Sequence, residues 1–101
     1  WIVTNPPYGP RGKTAVAFIH RGLRYVREQN CGLALLLPID FDSAISRANA
    51  FERCPEFRAK IVLRKRIKWF DGSASPSMNH CWMVWQTANL NEPRPPILLY
   101  A

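Results

Sequence analysis

Between Lys13 and Gln29 the apolar residues Val16, Ile19, Leu23 and Val26 recur at spacings of three, four and three. That interval lines side chains along one face of an α-helix. His20, Arg21, Arg24, Arg27 and Glu28 fall elsewhere on the turn, so the pattern predicts an amphipathic helix at the surface, ended by Asn30 and Gly32. Cys31 to Leu37 is then unbroken apolar sequence ending at Pro38, as expected of a strand covered on both faces. Ahead of the helix, Trp1-Ile2-Val3 reads as a strand end, and the prolines and glycine of residues 5–10 exclude regular structure there. Asp42 or Ser43 can cap a second helix running to about Arg53, with Ile45, Ala48 and Phe51 inward, and Pro55 ends it.

Further on, Ala59 to Leu63 forms a third strand with the basic tail Arg64-Lys65-Arg66, and Cys81 to Gln86 a fourth. A polar loop from about Asp71 to Asn79 joins them, and Ile97 to Tyr100 can add an edge strand beyond Pro93, Pro95 and Pro96. Trp82 and Trp85, three apart on a strand, point to opposite faces and read as core on both sides of the sheet. The order β-α-β-α-β-β predicts one α/β unit over residues 1–101. Parallel strands lie between helical layers in three layers, and the last strand returns antiparallel after the long loop.

The chain has 101 residues and a net charge of +7, from 14 Lys and Arg against 7 acids. Such a surface attracts polyanions, with nucleic acid the first candidate. No apolar run is long enough to cross a bilayer, and no signal peptide is visible. Three widely spaced cysteines, Cys31, Cys54 and Cys81, fit neither a disulfide framework nor a zinc site, so a reducing cytoplasmic setting is expected. His20 and His80 have no metal-ligand partners in the sequence and receive no catalytic role.

The chemistry concentrates in Asn5-Pro6-Pro7-Tyr8, directly after an apolar strand, where open α/β sheets place their ligands. Each proline fixes its own φ and holds the preceding residue extended. Neither offers an N–H, so the stretch accepts hydrogen bonds at those positions. An exocyclic amine has two N–H bonds to give, one to the Asn5 side-chain oxygen and one to the Pro6 carbonyl. Its lone pair is then free to face an electrophilic methyl group, while Tyr8 offers a flat surface to the ring bearing the amine. Positioning and electrostatics suffice, without a general base.

Ile-Val-Thr-Asn-Pro-Pro-Tyr-Gly resembles the (D/N)PP(Y/F) signature of the amino-group DNA methyltransferases. The resemblance implies that Asn5 and Pro6 hold the target amine, Pro7 stiffens the loop and Tyr8 stacks on the base. Leu35-Leu36-Leu37-Pro38-Ile39-Asp40-Phe41 is similar to the family's next strand and its exit. Ile67-Lys68-Trp69-Phe70-Asp71-Gly72 is similar to the region that packs an aromatic on a flipped base, which makes Trp69 and Phe70 candidate base contacts. The implied fold is the target-base half of a Rossmann-like methyltransferase sheet. The implied reaction is methyl transfer from S-adenosylmethionine to adenine N6 in DNA after base flipping. Methyltransferases of guanine N2 in ribosomal RNA and of protein glutamine carry the same four residues, and a non-catalytic methyltransferase remnant is a further alternative.

The family's glycine-rich donor loop, and the acidic residue that ends its second strand, have no counterpart in these residues. The chain is therefore expected to be a fragment whose partner is the donor-binding half, and whose uncovered first strand can pair with another copy. Residues 7–14, Pro-Tyr-Gly-Pro-Arg-Gly-Lys-Thr, come close to a phosphate-binding loop. Pro7 replaces its first glycine, however, and Pro10 removes an amide the loop would need. Arg11 and Lys13 are instead candidate contacts to substrate phosphate.

Overall fold

The structure, a computed structural model, describes residues 1–68 and 78–101. Five strands form one open sheet in the order β1-β2-β4-β3-β5. They are β1 (Ile2–Thr4), β2 (Gly32–Pro38), β3 (Phe57–Val62), β4 (His80–Gln86) and β5 (Ile97–Tyr100). The helix α1 (Lys13–Gln29) lies between β1 and β2 in the chain. β1 runs parallel to β2 and β3 parallel to β5, while β4 runs antiparallel to both β2 and β3. The antiparallel return expected of the fourth strand is present. It is inserted in the sheet interior, and β5 follows it parallel to β3.

Helix α1 begins and ends where the hydrophobic spacing places it, and Asn30 closes it in the left-handed conformation at φ 50°. Ile19, Leu23 and Val26 are buried, joined by Ala15 and Gly22. They pack on Leu33, Leu35 and Leu37 of β2 and on Cys81, Met83 and Trp85 of β4. Burial of these side chains is the main source of stability, at about 1.5–3 kcal/mol for each large aliphatic residue removed from water. Trp85 is fully buried, and its indole N–H donates to the Ala50 carbonyl at 2.7 Å. Trp82 faces the other side of the sheet and is only partly covered.

The second helix expected over residues 42–53 does not form. Two 3₁₀ segments, Phe41–Ser43 and Ile45–Ala50, occupy the stretch, and Ile45, expected inward, is 93% exposed. Ser43, Ser46 and Asn49 favour local turns over helix. The chain instead buries Phe41, Ala50, Phe51 and Cys54. The Phe51 ring meets Phe57 edge-on at 5.0 Å and lies tilted against Trp85 at 5.6 Å. This aromatic packing decides the local conformation. Because these segments share the core of α1, the described residues form two layers, and the third expected layer is not among them. No helix among them is long and apolar enough to cross a membrane.

Candidate functional site

Residues 5–12 leave β1 and reverse into α1 through a loop closed on itself. The Gly12 amide donates to the Gly9 carbonyl and the Ala15 amide to the Tyr8 carbonyl, both at 3.1 Å, and the Lys13 amide donates to Pro10. Gly9 and Gly12 have φ of 74°, and Arg11 is left-handed at 54°. A Cβ on Gly12 would come within 2.8 Å of the Arg47 guanidinium and 3.2 Å of the Tyr8 ring. Only glycine fits this crossing. The amides of Gly12, Lys13 and Ala15 are spent inside the loop and so are not aimed outward as a phosphate-binding loop requires.

The loop is clamped from outside by Arg47. Its guanidinium lies 3.7 Å from the centroid of the Phe41 ring. It donates to the Phe41 carbonyl at 2.8 Å and the Arg11 carbonyl at 3.1 Å. Phe41, almost fully buried, meets the Tyr8 ring edge-on at 5.9 Å. Tyr8 is thereby oriented while remaining 44% exposed, as a ring must be if it is to carry a ligand on one face.

Asn5, Pro6 and Tyr8 line a single cavity of about 410 Å³ at the sheet's edge. Pro6 is buried, Asn5 is exposed, and the Asn5 side chain makes no hydrogen bond among the described residues. Pro38, Asp40, Met78 and His80 complete the wall with Leu36 and Leu37. Pro38 and His80 face each other in the β2–β4 pairing, and the Ile39 amide donates to the Asn79 carbonyl at 3.1 Å. Lys60 pins the same exit by donating to the Ile39 carbonyl at 2.7 Å and to Asp42 at 2.8 Å.

Arg11 and Lys13 are both exposed at this edge. β1, β2 and β3 run the same way, so Arg64, Lys65 and Arg66, which follow β3, lie at the same end of the sheet. Arg66 also donates to the Asn79 side chain at 2.9 Å, beside the cavity. Trp69 and Phe70 lie outside the described residues. His80, given no role from the sequence, is part of the cavity wall, as are Asp40 and Met78. The signals for Asp40 are its place just beyond Pro38, at a strand's C-terminal end, and its position in the Leu35–Phe41 resemblance.

A larger cavity of about 510 Å³ runs between β1 and α1, lined by Ile2, Phe18, Gly22, Tyr25 and Leu33 among others. Apart from Arg21 and two threonines its wall is apolar. Without convergent polar groups it is the weaker candidate for chemistry, although it is the bigger space. Among the described residues no group of His, Cys, Asp and Glu side chains could hold a metal ion.

Of the buried thiols, Cys54 lies in the core, while Cys81 backs the cavity wall, its Sγ 3.6 Å from the Leu37 carbonyl. Burial pushes Cys81 up to about 11 and Cys54 above its usual value. Neither behaves as a thiolate nucleophile near neutral pH. Compared with known proteins, the chain matches no family model, no curated protein and no solved structure.

Proposed function

We propose that this chain forms the target-base side of an S-adenosylmethionine-dependent N-methyltransferase acting on adenine N6 in DNA. The observation that carries the reading is that Asn5, Pro6 and Tyr8 line one cavity at the tip of β1. Two acceptors for an amine and an aromatic face for its ring are thereby brought to one space. The Arg47–Phe41 clamp supports it further, because stiff placement of acceptors is what lets them act on a reacting amine. Arg11, Lys13 and the basic stretch after β3 supply positive charge at the same edge, suited to a phosphodiester backbone. In this reading the methyl donor is held by a separate donor-binding segment, since nothing in these 101 residues resembles the glycine-rich donor loop.

The test has two stages. First, an oligodeoxynucleotide carrying the fluorescent adenine analogue 2-aminopurine is titrated with the chain, with guanine-containing RNA and a glutamine peptide as competitors. Tyr8→Ala should weaken binding by about 1–3 kcal/mol, while Tyr8→Phe, which keeps the ring, should bind like the parent. Arg11→Ala and Lys13→Ala should weaken it in a salt-dependent way. Second, methyl transfer is measured in single turnover with the donor-binding half supplied. There Asn5→Ala should lower the rate roughly 10²–10³-fold, as loss of one preorganised contact to a reacting group does. A folded Asn5→Ala protein working at the parental rate would reduce residues 5–8 to a turn and sink the reading.

A further inference from the structure

Two carboxylates follow β2, and they have different fates. Asp42 is taken by Lys60, whose ammonium also holds the Ile39 carbonyl. Asp40 lines the cavity, and its carboxylate makes no hydrogen bond or ion pair among the described residues. Its backbone is nevertheless fixed. The Asp40 carbonyl accepts from the Ser43 amide at 3.0 Å and from the Ser43 hydroxyl at 2.6 Å. The preceding residue is held from both sides by Asn79 and Lys60. A fixed turn therefore sets Asp40, an exposed acid, in the wall of the space shared by Asn5, Pro6 and Tyr8. Of the cations at this end of the sheet, Lys60 is held by Asp42, Arg47 by the Phe41 and Arg11 carbonyls, and Arg66 by the Asn79 side chain.

We propose that Asp40 is a charged member of this site, making the cavity select for positive charge on the ring system it holds. The inference rests on the methyl-transfer reading and adds to it a residue that neither the signature nor the loop chemistry supplies. When a nitrogen lone pair attacks the methyl of a sulfonium donor, the N–C bond forms as the C–S bond breaks, and the pair of that bond stays on sulfur. Positive charge passes from sulfur to nitrogen and remains until the nitrogen gives a proton to water. Asn5 and Pro6 are neutral acceptors that align the amine. A fixed carboxylate in the same cavity favours the charged nitrogen over the neutral one, and this differential interaction is what lowers a barrier.

The experiment uses the 101-residue chain and two nucleosides of nearly equal size. Adenosine is neutral, and 1-methyladenosine carries a positive charge on the ring at neutral pH. Affinities are measured by chemical-shift titration, with thermal melts confirming that each variant is folded. The parent should prefer the cation by roughly fivefold, the scale of one exposed unit charge about 4 Å away, and added salt should narrow the ratio. In Asp40→Asn the ratio should fall to about one, and in His80→Gln it should persist. A ratio that survives in Asp40→Asn, or that collapses in His80→Gln instead, overturns the assignment. Equal binding of both nucleosides by the parent overturns this inference alone and leaves the methyl-transfer reading standing. Binding of neither overturns both.

Discussion

Replacing Arg47 by Met tests whether the Asn-Pro-Pro-Tyr loop is held by this one guanidinium. Methionine retains most of the aliphatic stem that packs beside Phe41 and removes the charged fork. Three interactions are lost: the part-buried bond to the Phe41 carbonyl, the exposed bond to the Arg11 carbonyl, and the contact with the Phe41 ring. Hydrogen bonds from a charged donor contribute about 1.5–3 kcal/mol when shielded, and the exposed one far less. The ring contact adds about 0.5–1 kcal/mol at a partly solvated site. Charging the side chain with holding Arg11 in its left-handed conformation as well, we expect a net loss of about 2 kcal/mol. In a domain of this size that lowers the melting temperature by about 10 °C. The loop should loosen before the core does, so amide exchange at Gly12 and Ala15 should accelerate more than at Leu35. Arg47→Lys should recover little, because a point charge cannot bond two carbonyls and lie flat on a ring together. A melting temperature within about 2 °C of the parent, under roughly 0.5 kcal/mol, with unchanged exchange at Gly12, would refute the clamp.

Three further outcomes follow from the same packing. Arg27 donates to Glu56 at 2.8 Å, and this bond, working against burial, holds the Glu56 carboxyl below its usual range. A depressed carboxyl contributes stability that is present above its unfolded value and lost as pH falls through the folded one. The urea midpoint should therefore drop on acidification below about pH 4.3, and Glu56→Gln should flatten that drop. Arg27→Met leaves the carboxylate buried without its partner and should cost about 2 kcal/mol near neutral pH; an unchanged midpoint would count against the pair. Alkylation at pH 8 followed by mass spectrometry should mark the half-exposed Cys31 first, with Cys54 and Cys81 reacting only on unfolding; equal rates would contradict the packing. Among the described residues nothing pairs with the outer edge of β1, where Trp1 just before the strand and Val3 within it are exposed, while β5 at the other edge is exposed along its whole length. The chain should associate with itself as concentration rises tenfold, and more at high salt, where the +7 charge is screened. A monomer by light scattering under both conditions would disprove this.

What the sequence disclosed follows from how local each feature is. Helix α1 was legible because Ile19, Leu23 and Val26 repeat at the helical interval and Asn30 can close it left-handed. The strands were legible to within a few residues, since each is an apolar run bounded by turn residues. The stretch 41–53 misled, because Ile45, Ala48 and Phe51 also sit near helical spacing. The interactions that decide its conformation are distant: Phe51 against Phe57 and Trp85, and Ala50 receiving the Trp85 indole. No local pattern reports such contacts. In the candidate site, Asn5, Pro6 and Tyr8 could be singled out because two prolines stiffen the stretch, and they do line one cavity. Arg47 was not, since its partners Phe41 and Arg11 lie 6 and 36 residues away.

The direction of β4 explains why the rest of the cavity could not be read from the chain. In a sheet of parallel strands only C-terminal ends meet at the ligand edge, and the residues following each strand are natural candidates. Here β4 runs against β2 and β3 while lying between them, so its beginning arrives at the same edge as their ends. That reversal sets His80 opposite Pro38 and brings Met78 to the wall, residues more than 70 positions from Asn5 in the chain. It also explains the apolar character of β2 on both faces. Leu33, Leu35 and Leu37 are covered by α1 and its neighbours, whereas Ala34 and Leu36 are 8% exposed and lie beside Val84 and Trp82 of the adjoining strand. An all-apolar strand therefore need not signal a helix on each side; a large aromatic on the next strand can shield the second face. Since the strand that carries Trp82 also begins at the cavity, the packing that protects β2 and the geometry that completes the site share one cause.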